Sequence, residues 1–399
     1  MTGVAGCSAK HDASTGQSEG TGPVAVAAAD PSGSTSKLVA RWNAGHPGER
    51  VTLTVLPADE DARHAMLLQR LATPAPDYDV VELRTSDTAE FAAQGWLSPL
   101  TGRYQISTAG LLAPAVAAAS YRGELYAAPL DVDAGLLYYR SDLLSTPPTT
   151  WAQLRADCAI AHRLSIGCYA GQYARGDDLA ANTLEAIGSA GGQVLRPDGE
   201  PADLNAAGVR NGLQFLADSY RNGVIPPAAI TYRASQTSRA FGSGSLLFMR
   251  NWATAYATIA ASPVKANVRM ALLPGSAGPG RPALDGHSLG LTTAARHRGT
   301  ALAFMNYLQS SDVQTGRLAS AQLAPVLAAS YHDQALAAKY PVLAVLGQSL
   351  RQAQPAPVSQ FYPSISDAIS EAGYATIGGT RSVPAAISQL QQEITAAAR

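Results

Sequence analysis

The sequence predicts an α/β protein with parallel sheet, divided into two domains. Three observations carry this expectation. The chain has 399 residues, more than one small hydrophobic core accommodates. Its hydrophobic content of 46% beside 15% charged residues is that of an ordinary globular protein. Residues 50–83 read as strand, helix and strand with short links, the βαβ pattern of a parallel sheet. The net charge of -1 gives no electrostatic case for nucleic acid.

At the N-terminus, Val4, Ala5 and Gly6 precede Cys7, which matches a bacterial lipobox whose cysteine becomes the lipidated first residue of the mature chain. No charged or apolar signal region precedes it, so the leader reads as truncated. Residues 8–36 are rich in Ser, Thr, Gly, Ala and Asp, so the expectation for 1–36 is a signal remnant followed by a flexible tether. No run of about 18 apolar residues occurs, so a lipid anchor would be the sole tie to a membrane.

Residues 38–43 read as the end of a helix closed by Gly45, and 50–56 alternate as a strand. A helix over 61–72 and a strand over 79–83 follow. Ligands of parallel sheets bind beyond the carboxyl ends of the strands, which puts Glu82, Arg84 and Asp87 on a candidate binding edge. The alternative is a surface loop of ordinary charges. Residues 88–93 begin a helix that ends at Gly95 and Trp96.

Residues 121–143 read as a strand, a crossing segment and a second strand, with Pro129 marking the end of regular pairing. Asp131 and Asp133 lie on the crossing before Gly135 and the β-rich run 136–139. Acids on irregular backbone between apolar strands suit a ligand better than a core, because unpaired buried charge is costly. A solvated turn is the alternative.

A helix starts at Trp151 with Thr150 as its cap. It carries Cys158, and Cys168 lies ten residues on in a short strand over 166–170. In an oxidising compartment these two form a disulfide worth on the order of 2 to 3 kcal/mol. No His or Cys pair with ligand spacing accompanies them, so no metal and no cofactor is expected. Helices over 177–190 and 209–221 precede a strand over 246–249, after which Trp252 and Tyr256 are placed to stack on a sugar face. Core packing is the other reading of Trp252. Helices over 300–309, 312–319 and 331–340 complete the interpretable elements.

Gly286, His287, Ser288, Leu289 and Gly290 spell a literal G-x-S-x-G, which in a serine hydrolase or esterase places the serine on a strand-to-helix elbow. The context opposes that reading, since residues 291–293 continue β-like and no oxyanion segment precedes them.

Several segments together carry a family resemblance. YDVVEL is followed by TAEFAAQGWLSPL, then by GELYAAPLDVDAGLLYYRSDLL with PPTTW. Further on come YAGQYARGDDLAANTLEAIGSAGGQVL, AFGSGSLLFMRNWATAYA, ALLPG and QPAPVSQFYPSISDAI. In this order they cover most of 51–372, and the chain resembles the family 1 extracellular solute-binding proteins of ABC importers, the trehalose- and maltose-type sugar-binding lipoproteins of actinobacteria in particular.

The resemblance implies a two-lobed periplasmic-binding-protein-like fold of type II, with lobes joined by a multi-segment hinge. It divides the chain into 37–128 plus 281–318 as one lobe and 136–272 plus 329–399 as the other, with hinge crossings at 129–135, 273–280 and 319–328. It implies no enzyme but a monomeric receptor, held outside the cytoplasm by a lipid on Cys7, that captures a di- or oligosaccharide and delivers it to permease subunits with their ATPase. Asp133 stands where the family has a sugar-binding acid, and Trp252 where it has a stacking ring. Gly286 and His287 match a backbone-donating glycine with a bulky neighbour, and Tyr362 a cleft aromatic. The chain departs from trehalose-type relatives at Arg84, Asp87 and Gln354, which puts trehalose itself in doubt and leaves Arg84 either to an acidic sugar or to Glu82. A surface lectin without a transporter has the same cleft chemistry but needs no hinge.

Overall fold

The computed structural model describes residues 20–73, 76–196 and 199–397. Cys7 lies outside them, as do residues 8–19 of the expected tether. The rest of that tether is folded. Val24–Ala29 is a strand, β1, buried along nearly its whole length, and Ser34–Gly45 is a helix. The expectation of a tether to residue 36 is corrected here: a central parallel strand is covered on both faces and needs no alternation, so VAVAAA satisfies it while sharing its composition with a linker.

β1 pairs in parallel with β2 (Val51–Leu56) and with β3 (Val80–Arg84). Helix Glu60–Leu71 connects the last two, capped by the Asp59 carboxylate accepting the Ala62 N–H. A short hairpin, β4 (Ser120–Tyr121) and β5 (Glu124–Leu125), leads into β6, Ala127–Arg140. The second lobe contributes β7 (Gly167–Ala170), β8 (Leu246–Trp252) and β9 (Val268–Ala271), and the chain returns to the first lobe as β10 (Leu284–Leu291).

β6 runs through both lobes. Its first half, from Ala127 to Ala134, pairs antiparallel with β10, and its second half with β8 and β9. At ~3.3 Å per residue its 14 residues span ~46 Å. The expected strand, irregular crossing and strand are therefore one continuous strand, and Pro129 lies inside it rather than at its end. Pro129 is tolerated because the ladder shifts register between His287 and Ser288, opposite the proline. Asp131 and Asp133 thus sit on regular, buried backbone.

Two other stretches pass beside β6 where it changes lobe. Val132 donates to the Ala324 carbonyl at 3.1 Å, and Gly135 to that of Ala283 at 3.4 Å. Gln354 joins the same place, donating to Pro282 at 2.8 Å and accepting from Leu284 at 2.7 Å.

Each lobe has its own core. In the first, Val26, Leu289 and Phe304 pack on one face of the sheet, while Ala27, Leu67 and Phe91 pack on the other. In the second, Leu137, Phe248 and Leu346 belong to the sheet core, and helices Asp177–Ser189, Ala207–Arg221, Tyr362–Ile377 and Val383–Ala397 enclose a further cluster around Ile187, Leu213 and Ile369. Cys158 and Cys168 are joined, with Cα atoms 5.2 Å apart. The helix expected over 331–340 is a 3-10 turn, Ala328–Tyr331, followed by a short helix, Gln334–Lys339, because Asp333 accepts from Ala335 and Leu336 and starts a new cap between them.

Candidate functional site

A cleft of about 1820 Å³ opens between the lobes, with β6 crossing beneath it. From the first lobe, β3 ends on Arg84 at its rim, and β10 presents Asp285 and His287, two residues apart and hence on one face of the strand. From the second lobe come Asp177 and Asp178 in the first turn of helix Asp177–Ser189, where acids are favoured by the helix dipole. Trp252 at the end of β8 and Tyr362 at the start of its helix complete this wall.

Seven of the ten residues expected to bind ligand line the cleft: Arg84, Asp131, Asp133, Trp252, Gly286, His287 and Tyr362. Three do not. Glu82 is buried on β3 opposite Leu289 of β10 and ion-paired to Arg63 at 3.2 Å. Asp87 is buried in a 3-10 turn, Thr85–Asp87, 3.7 Å from Arg84 Nη2. Tyr256 packs on the core of the second lobe. Glu82 shares the face of Arg84 but sits two residues further back from the end of β3, while helical turns direct Asp87 and Tyr256 inward. Arg84 is not engaged with Glu82; its partners are Asp87, Glu60 and Asp177.

Asp131 is held by the protein. It accepts from Nδ1 of His287 at 2.8 Å and from Nη2 of Arg317 at 2.6 Å. Although burial opposes ionisation, these two cations bring its carboxyl below the usual range. His287 in turn is pushed well above the usual imidazole range; burial acts against this, and Asp131 and Glu60 outweigh it. Its Nε2 lies 3.2 Å from Glu60, so the ring is an imidazolium wired between two carboxylates.

Asp133 accepts the main-chain N–H groups of Ala134, Ala253 and Thr254. Asp285 carries its own charge differently. Burial and Glu60 push its carboxyl up to about 6, against the pull of His287, Arg84 and the Gly286 N–H. Gly286 has φ +141, and a Cβ there would stand 2.4 Å from the Asp131 carbonyl oxygen, so the close approach of β10 to β6 requires glycine.

The Trp252 ring is fixed on two sides. Its Nε1 donates to Asp178 at 2.8 Å, and the Arg250 guanidinium lies 3.9 Å from the ring centroid. Arg250 is fully buried, bonded to both Glu185 oxygens at 2.6 and 2.8 Å and to Gln172 at 2.8 Å. A buried ion pair thus presets an aromatic at the cleft wall.

Asp61, Asp177, Asp178 and Asp285 also line the cleft and were not singled out by sequence. Asp285 had a legible signal, its period-two spacing from His287. Asp177 and Asp178 had none, since acids at a helix start read equally well as dipole partners. Ser288 is fully buried in the middle of β10, between β3 and β6, with Thr85 Oγ1 3.4 Å away. It stands on no strand-to-helix elbow, which removes the hydrolase reading.

Residues 37–344 match the family model described as bacterial extracellular solute-binding protein. The chain belongs to this family. Membership places this binding protein outside the cytoplasm, with an α/β fold of two lobes and a solute cleft between them. It is 29% identical to a probable ABC transporter-binding protein of Deinococcus radiodurans over 362 residues, 83% of this chain and 82% of that one. It is 25% identical to the mannitol-binding protein of Pseudomonas aeruginosa over 333 residues, 78% of this chain and 74% of that one. Among solved structures, the maltose-bound MalE3 of T. maritima superposes with a TM-score of 0.84 at 27% identity, covering 94% of this chain and 99% of that one. No described helix of the binding protein is long and apolar enough to cross a membrane.

Proposed function

We propose that this binding protein is the receptor of an ABC importer, capturing a di- or oligosaccharide in the interlobe cleft and handing it to permease subunits served by a separate ATPase. The observation that carries the reading is the cleft of about 1820 Å³ whose walls combine carboxylates with the preset Trp252 ring. Carboxylate oxygens accept sugar hydroxyls, and an aromatic face covers the C–H side of a pyranose. Mannitol and maltose, which two of the similar proteins bind, agree with this class. Residues 129–135, 273–280 and 319–328 serve as the hinge, and the hydrogen bond of Val132 to Ala324 supports the first and third of these crossings. Ligand that touches both lobes favours the closed arrangement by its differential contacts. The receptor acts as a monomer anchored through Cys7.

A thermal-shift screen against neutral disaccharides, oligosaccharides, amino sugars and acidic sugars tests the reading. A ligand at 100 times its dissociation constant stabilises the fold by about 2.7 kcal/mol. Absence of a shift with every sugar would sink the carbohydrate assignment.

A further inference from the structure

Arg84 closes β3 in the first lobe, and Asp177 opens helix Asp177–Ser189 in the second; their side chains form an ion pair across the cleft. The guanidinium is already crowded by acids of its own lobe, with Asp87 3.7 Å from Nη2 and Glu60 3.8 Å from Nε. Its side chain is 13% exposed and that of Asp177 28%.

Both ends of the pair are braced. Glu60 is bound by Arg63 at 2.8 Å and faces His287 at 3.2 Å, which fixes the first-lobe side. Asp177 accepts the hydroxyl of Ser366 on helix Tyr362–Ile377, which fixes the second-lobe side. Arg84 is enclosed between Asp87 and Glu60 and Asp177 is tied to Ser366, so opening of the lobes pulls the two charges apart. Partial burial also raises the strength of the pair above that of a solvated surface contact.

We propose that Arg84 and Asp177 are positioning residues of capture, a clamp that draws the lobes together, and that Arg84 is not a receptor for an anionic solute. An anion approaching Arg84 through the cleft meets Glu60 and Asp177 beside the guanidinium and Asp87 behind it, so the attraction is cancelled at close range. The clamp is made wholly of protein groups and does not depend on which solute the cleft takes.

The test compares Arg84→Gln, Asp177→Asn, the double variant and Arg84→Lys by small-angle scattering in sugar-free buffer, with circular dichroism confirming that each is folded. Both single variants should enlarge the radius of gyration by the same amount, the double variant no further, and Arg84→Lys should recover part of the compaction because it keeps the charge. With maltose as the probe, either single variant should weaken binding by the same factor, roughly tenfold. Glucuronate should bind neither the wild type nor the variants. Unchanged compaction in both single variants, or additive expansion in the double one, overturns the clamp. Glucuronate binding that Arg84→Gln alone abolishes overturns the second half. If maltose does not bind at all, the choice of sugar is at fault and not the clamp, which the scattering comparison still decides.

Discussion

Asp133 Oδ1 accepts the main-chain N–H of Ala253 at 2.7 Å, tying the crossing strand to the turn that follows Trp252. The same oxygen takes the Ala134 N–H at 2.7 Å, and Oδ2 takes that of Thr254 at 3.1 Å. The acid expected to hold ligand hydroxyls is thus also the group that satisfies the backbone beside the aromatic wall.

Asp133→Ala should therefore destabilise the protein as well as weaken binding. Removing the carboxylate leaves the buried Ala253 N–H without an acceptor, at a cost of about 2–3 kcal/mol. Asp133→Asn, which keeps one acceptor oxygen, should lose less than half of that. Urea unfolding of the two variants beside wild type reads the difference; equal stability in all three would return Asp133 to a purely ligand-facing role.

Trp252→Ala should weaken sugar binding by about 1.5–3 kcal/mol, roughly 10- to 150-fold, through loss of the stacking face. Trp252→Phe should recover much of this but not all, because Asp178 loses its indole donor. Titration calorimetry with the sugar found by thermal shift provides the comparison.

Asp285 predicts a pH effect on stability. Its folded carboxyl titrates at about 6, above the ordinary 3.8, so the native state binds this proton more tightly than the unfolded chain does. The stability it contributes is present below pH ~4 and is lost as pH rises through about 6. Asp285→Asn removes the effect, so its stability relative to wild type should improve between pH 4.5 and pH 7 by on the order of 2 kcal/mol. Parallel urea curves at the two pH values measure this, and an unchanged difference between the proteins would refute it.

The bridge between Cys158 and Cys168 closes a loop across a sequence separation of 10, worth ~2.7 kcal/mol by loop entropy. Both sulfurs are buried, so reductant should act only after local opening. Unfolding midpoints of Cys158→Ala/Cys168→Ala against wild type give the size of the contribution.

Much of the architecture was legible because it is written in local periodicity. Helix Thr88–Ala93, strand β2 and the Asp79-Val80-Val81 strand lie where spacing places them, within a residue or two. Two kinds of element escaped. β1 looked like linker because a strand covered on both faces shows no alternation. The continuity of β6 through Pro129 was hidden because a proline is excluded only from regular ladders, and the bulge that admits it, with Leu130 as the extra residue, is defined only by pairing with His287 and Ser288 on a strand more than 150 residues away.

By itself, then, the sequence determined the class of fold, the cysteine pair and seven of the residues that line the cleft, since each rests on a local pattern or a motif. Only the tertiary structure decided what those residues do. Whether Asp131 is a free acceptor depends on Arg317, and whether Arg84 faces solute or the other lobe depends on Asp177. The charge state and availability of a side chain are set by groups distant in sequence, and electrostatic interaction follows distance in space.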